Sequence, residues 1–134
     1  AFGLLQLEHM PNVMQRRAEI DAYYREQLAG IPGITCLPKG HQTVANHAYF
    51  PILVGPGYPL GRDALYDKLK AHGIYARRYF YPLITDFPMY RGLISAASTN
   101  VAIAAKFSRQ VLCLPIYPKL LQNFQLEIIN LIKN

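Results

Sequence analysis

The chain has 134 residues, 51% hydrophobic and 16% charged, enough for one domain with its own core and too apolar for an intrinsically disordered chain. The longest apolar runs, 48–54 and 111–117, are about a third of a membrane span and both contain proline, which excludes a transmembrane helix. The net charge of +6 is dispersed among Arg16-Arg17, Lys68/Lys70 and Arg77-Arg78, with no run of five basic residues, so a small anionic ligand or a partner surface suits the chain better than nucleic acid.

The chain opens at Ala1 within a helical pattern, with no initiator methionine and no leader-like region, and is expected to be a fragment. Residues 1–10 have the apolar density of a helix packed on several sides, and Pro11 predicts a kink or restart. From 12 to 30, Val13, Ile20, Tyr24 and Leu28 share one face of an amphipathic helix, with Arg16, Arg17, Arg25 and Glu26 elsewhere and Gly30 and Pro32 stopping it. Residues 34–37 read as a short strand and 38–44 as a polar loop. Residues 48–54 read as a second strand, with Pro51 arguing for an edge or a bulge.

After the turn-rich run 55–59, residues 62–72 read as a helix with Leu65 and Leu69 on one face, ended by Gly73 in the left-handed cap position. Residues 74–80 read as a third strand. From 81 to 97, Pro82, Pro88 and Gly92 exclude a long regular element, and a stretch this irregular in a compact domain is a place to look for a site. Ser98 or Thr99 is expected to cap a helix that leads into strand-like 111–114. The last helix places Leu121, Phe124, Ile128 and Ile132 on one face, with Gln122, Asn123, Gln125 and Glu127 outside. This order predicts one α+β domain over 1–134, a mainly antiparallel sheet of three to four strands with helices packed on one face.

Cys36 and Cys113 sit in apolar surroundings without metal-ligand spacing and read as buried thiols in a reducing compartment. His9, His41, His47 and His72 stand apart, so no metal is expected. No nucleophile elbow and no phosphate-cradling glycine loop is present. The concentrated feature is Arg77-Arg78-Tyr79-Phe80-Tyr81-Pro82, where strand alternation would put Arg78 with Phe80 on one face and Arg77, Tyr79 and Tyr81 on the other. Guanidinium groups hold a diphosphate and phenols bond sugar hydroxyls, so the set suits an anionic sugar. The alternative is an edge strand with packed tyrosines and solvated arginines. Asn46-His47-Ala48-Tyr49 either bonds a ligand or closes a turn, and Asp86 with Tyr90 orders the long loop.

Four segments, AFGLLQLEHMPNVMQRRAEIDAYYREQL, NHAYFPILV, RDALYDKLKAHGIYARRYFYPLITDFPMYRGL and VLCLPIYPKL, together resemble the C-terminal small domain of DegT/DnrJ-type sugar aminotransferases. The resemblance implies a pyridoxal-phosphate enzyme of fold type I that moves an amino group, usually from glutamate, to a keto group on a nucleotide-linked deoxysugar. It implies that the Schiff-base lysine and most of the cofactor site lie in an N-terminal domain outside this chain, which would be inactive alone and contribute no catalytic residue. It also implies a homodimer in the cytoplasm, with no membrane, metal or nucleic-acid partner.

Many members carry a His-Tyr-Pro stretch where this chain has Tyr79-Phe80-Tyr81, and a second histidine where it has Thr85. The resemblance therefore assigns Tyr79 to the sugar, with Arg78, Tyr81 and Asn46 as neighbours, and suggests a thymidine-diphosphate 3-keto or 4-keto sugar. The alternatives are a pyridoxal-phosphate sugar dehydratase on the same scaffold and a free-standing basic binding module.

Overall fold

The computed structural model describes residues 2–38 and 45–134; part of the expected polar loop 38–44 lies outside them. The described residues form helix α1 (Phe2–Leu28), strands β1 (Ile34–Cys36) and β2 (Phe50–Val54), helix α2 (Arg62–Ala71), helix α3 (Ala102–Ser108), strand β3 (Val111–Leu114) and helix α4 (Gln122–Lys133). The expected α+β architecture holds, with an antiparallel sheet in the order β1-β2-β3.

Helix α1 continues through Pro11 as one helix, so the expected restart does not occur. Pro11 supplies no N–H to the carbonyl one turn earlier, but Leu7 and Pro11 are exposed, so water can take that carbonyl. The buried face is Ile20, Asp21, Tyr24 and Leu28, which keeps three of the expected residues and adds a carboxylate. Tyr24 is fully buried against the Phe50 ring, 4.9 Å between centroids, and its hydroxyl donates to the Pro115 carbonyl at 3.1 Å. Burial pushes the Tyr24 phenol well above its ordinary range.

Pro51 lies on the central strand rather than at an edge. The Val54 N–H donates to Gln110 on the β3 side, so the alternate residues Leu53 and Pro51 turn their backbone groups toward β1. Strand β1 ends at Cys36 opposite Ile52, so the missing Pro51 donor costs no ladder bond. The expected strand over 74–80 shrinks to one bridge, in which Arg77 N–H donates to Cys113 O at 3.0 Å and Cys113 N–H to Arg77 O at 2.8 Å. Beyond it the chain turns away, because Phe80 adopts φ +47 and cannot continue a ladder.

Helix α2 ends as its sequence predicts. Gly73 has φ +74, its N–H donates to Lys70 O, and the Ile74 N–H reaches Leu69 O, each at 3.0 Å. The residue flanking α3 is Val101 rather than Ser98 or Thr99, and no side chain caps that helix.

Helix α4 buries Gln125, Ile128, Ile129 and Ile132, whereas Leu121 and Phe124 are exposed. The expected face is rotated because the Gln125 amide donates to Ile20 O of α1 at 2.8 Å, which satisfies a polar group inside the core. Phe50, Ile52 and Val54 of β2 meet α1, α2 and α4 in one continuous core. On the opposite sheet face, Leu37, Leu53 and Val111 share an apolar groove with Ala104, Phe107 and Ser108 of the α3 segment.

The 81–97 stretch contains two short 3-10 turns, Ile84–Asp86 and Ile94–Ala96, and leaves Ile84, Met89, Leu93 and Ile94 largely exposed. Phe2, Leu4, Leu5 and Leu7 at the start of α1 are exposed as well. Both surfaces are more apolar than a solvated face requires.

Candidate functional site

A cleft of about 520 Å³ opens where the Asp21–Arg25 turn of α1, the 45–49 approach to β2, the start of β3 and the turn after the Arg77 bridge converge. Asp21 and Arg25 form one wall, one helical turn apart. The Arg25 Nε lies 2.8 Å from Asp21 Oδ1, its Nη1 donates to the Leu37 carbonyl at 2.6 Å, and its guanidinium stands 5.4 Å from the Phe50 ring centroid. Three directions of contact hold that planar group, while its side chain keeps 27% of its exposure toward the cleft.

The opposite wall is Asn46-His47-Ala48-Tyr49. The Asn46 side-chain oxygen accepts the Ala48 N–H at 3.1 Å, which closes the turn. His47 takes φ +47, and its Nδ1 lies 3.5 Å from Asp21 Oδ2. The buried Asp21 carboxylate thus joins the helix wall to the loop wall. Asn46 remains exposed at the rim, so its amide nitrogen is available to a ligand while its oxygen is occupied.

Tyr79 reaches the same cleft, its ring 5.2 Å from Tyr49 and 4.1 Å from Phe80 by centroids. It also borders the apolar groove with Leu37 and Leu53, so one ring stands between a polar and an apolar space. Cys113 lies in the cleft floor, and burial pushes its thiol up to about 11, with Arg77 opposing. Burial likewise raises the Cys36 thiol; Arg25 opposes that shift and Asp21 adds to it.

Of the four residues assigned to the sugar, Tyr79 and Asn46 meet in this cleft, and Arg78 and Tyr81 stand in a different cluster. The Arg78 Nη1 donates to Asp63 Oδ1 at 3.3 Å, and its guanidinium lies over the rings of Tyr66 and Tyr81. The sequence reading missed Asp21 and Arg25. Their signal was an acid followed four residues later by an arginine beside the buried Ile20 and Tyr24. Among the described residues no group of three or more His, Cys, Asp or Glu side chains is placed to hold a metal ion.

The sequence and the fold are similar to those of known proteins. The DegT/DnrJ/EryC1/StrS aminotransferase family pattern matches residues 1–133. The dTDP-4-amino-4,6-dideoxy-D-glucose transaminase of Escherichia coli is 47% identical over 132 residues, 98% of this chain and 36% of that protein. GDP-perosamine synthase of Vibrio cholerae is 31% identical, over 100% of this chain and 35% of its own length. Among solved structures, DesI crystallised in the presence of its TDP-sugar product superposes with a TM-score of 0.87 at 27% identity, covering 98% of this chain and 33% of that one. DesV of S. venezuelae gives a TM-score of 0.81 at 29% identity, with 96% and 33% covered. The chain thus spans about a third of the length of the relatives it matches. With its sequence matched from end to end and its fold shared with these enzymes, the chain belongs to the DegT/DnrJ/EryC1/StrS aminotransferase family.

Proposed function

We propose that this chain is the C-terminal, substrate-facing part of a sugar-nucleotide aminotransferase that moves an amino group, with glutamate as donor, onto a keto-deoxysugar carried by a nucleoside diphosphate. The observation that carries the reading is that Tyr79, the residue assigned to the sugar by resemblance, shares a cleft with Asn46 beside the fixed guanidinium of Arg25. A phenol and an amide at the rim match sugar hydroxyls, and a held guanidinium matches an anionic neighbour. The E. coli relative is named for a dTDP-linked 4-amino-4,6-dideoxy sugar, which supports a 4-keto-6-deoxy substrate.

The family is dependent on pyridoxal phosphate, which supplies carbanion stabilisation when bound. Among the described lysines, Lys68, Lys70, Lys106, Lys119 and Lys133, none lines the cleft. The described residues therefore do not fit the covalent anchoring of that cofactor, and in this reading its lysine comes from elsewhere in the full-length enzyme. The role left to the chain's own groups is to bind, orient and enclose the sugar.

The exposed Ile84, Met89, Leu93 and Ile94 suit burial against a second copy, and Phe2, Leu4, Leu5 and Leu7 suit burial against the rest of a longer enzyme. The free thiols Cys36 and Cys113 suit a reducing compartment such as the cytoplasm.

The test is the full-length protein incubated with glutamate and a dTDP-linked 4-keto-6-deoxysugar, with the amino sugar followed by chromatography. Tyr79→Phe, which removes one hydroxyl, is expected to lower kcat/KM about tenfold, the worth of one charge-free hydrogen bond in a site. A deoxygenated product without a new amino group would overturn the reaction class, and unchanged kinetics in the variant would overturn the role of Tyr79.

A further inference from the structure

We infer that Arg62 and Tyr81 are positioning residues that aim Tyr79 into the cleft, an inference that rests on the reading of Tyr79 as sugar-facing. Tyr79 lies between two anchors. On its N-terminal side the backbone is pinned to the sheet by the reciprocal Arg77–Cys113 hydrogen bonds at 3.0 and 2.8 Å. On its C-terminal side the Tyr81 ring contacts two guanidinium groups, with the Arg62 Cζ 4.5 Å and the Arg78 Cζ 5.2 Å from its centroid.

The two arginines differ in stiffness. The Arg62 side chain is 1% exposed, its Nε lies 2.9 Å from Asp63 Oδ1, and its Nη1 donates to the Val111 carbonyl at 3.4 Å. Val111 opens β3 and lines the cleft, so Arg62 ties Tyr81 to the strand that floors the site. Arg78 is more exposed, but it meets the same Asp63 carboxylate and the same ring.

Phe80, between Tyr79 and Tyr81, has φ +47, a left-handed conformation uncommon for a bulky residue. The residue is 72% exposed, so its own burial does not maintain that turn. The flanking anchors do, and they set the direction in which Tyr79 leaves the backbone. The Arg77–Tyr81 run thereby divides its work: Arg77 supplies the sheet bridge, Tyr79 faces the ligand, and Arg78 and Tyr81 complete a clamp whose rigid jaw is Arg62 of α2.

The experiment is a double-mutant cycle in the full-length protein, with KM for the dTDP-linked keto sugar, KM for glutamate and kcat measured for each variant. Tyr81→Leu removes the aromatic face and is expected to lower kcat/KM for the sugar nucleotide about tenfold without changing KM for glutamate. Tyr81→Phe keeps the face and is expected to stay within about twofold of wild type. In a Tyr79→Phe background, Tyr81→Leu is expected to add less than about twofold, because misplacing a hydroxyl that is absent costs little. If Tyr81→Leu does not fold, Arg62→Gln tests the same jaw and carries the same expectation.

A Tyr81→Leu effect that multiplies in full onto Tyr79→Phe, or no effect at all, overturns the positioning role while leaving Tyr79 in place. Unchanged kinetics in Tyr79→Phe itself overturns the functional reading, and the positioning role falls with it.

Discussion

Removing the Asp21–Arg25 contact tests whether the cleft wall is held as the geometry says. The Asp21 side chain is 5% exposed and that of Arg25 27%, with 2.8 Å between Nε and Oδ1. An exposed pair at this helical spacing is worth about 0.3–0.5 kcal/mol, and a hydrogen bond to a buried charged group about 1.5–3 kcal/mol. Partial burial places this pair between the two, at about 1–2 kcal/mol of coupling. The described residues share one continuous core. Urea titrations followed by circular dichroism on wild type, Asp21→Asn, Arg25→Gln and the double variant isolate the pair from the other contacts of each residue. Asp21→Asn alone should cost more than the coupling, because it also weakens the contact to His47. A coupling of about 0.3 kcal/mol or less would show a solvated surface pair, and Arg25 would then not be a fixed element of the site.

The Cys113 thiol, pushed up from 9.0 to about 11 chiefly by burial, links stability to alkaline pH. The unfolded chain loses that proton first, so the stability it contributes is complete below pH 9 and is lost as pH rises toward 11; it amounts to about 2 kcal/mol from the linkage relation, reduced for incomplete burial. Cys113→Ala should flatten the fall in unfolding free energy between about pH 9 and 11, and an equal slope in both proteins would contradict the assignment. Gly33 has φ +75, and a Cβ there would overlap Tyr58 N and Gly57 C, both backbone atoms. Gly33→Ala should cost on the order of 4 kcal/mol in a urea midpoint comparison. Gly30, at φ +77 with nothing within 4 Å of an added Cβ, should tolerate alanine at about 1–2 kcal/mol. Equal losses at the two glycines would refute the steric argument.

The amphipathic core of α1, the Gly73 cap and the β1 and β2 segments were legible because apolar spacing and local caps act over a few residues. Pro51 misled because its rule concerns ladder donors, and whether β1 reaches opposite it is a property of the partner strand. The α4 face turned so that the Gln125 amide meets the Ile20 carbonyl of α1, a partner 105 positions away in sequence. The aromatic-arginine run was legible as a feature, but its division between cleft and clamp was not. That division depends on the left-handed Phe80 and on Arg62 of α2, neither of which alternation along a strand can foresee. Asp21 was hidden for a related reason: a carboxylate on a core-facing helix row becomes intelligible only once Arg25 and His47 are seen beside it.

The most direct test is a crystal structure of the full-length protein with a dTDP-linked amino sugar bound. The sugar is expected within hydrogen-bonding distance of the Tyr79 hydroxyl, with Asn46 at the rim and Arg25 still held by Asp21. A sugar bound elsewhere, with this cleft filled by protein side chains, would contradict that placement.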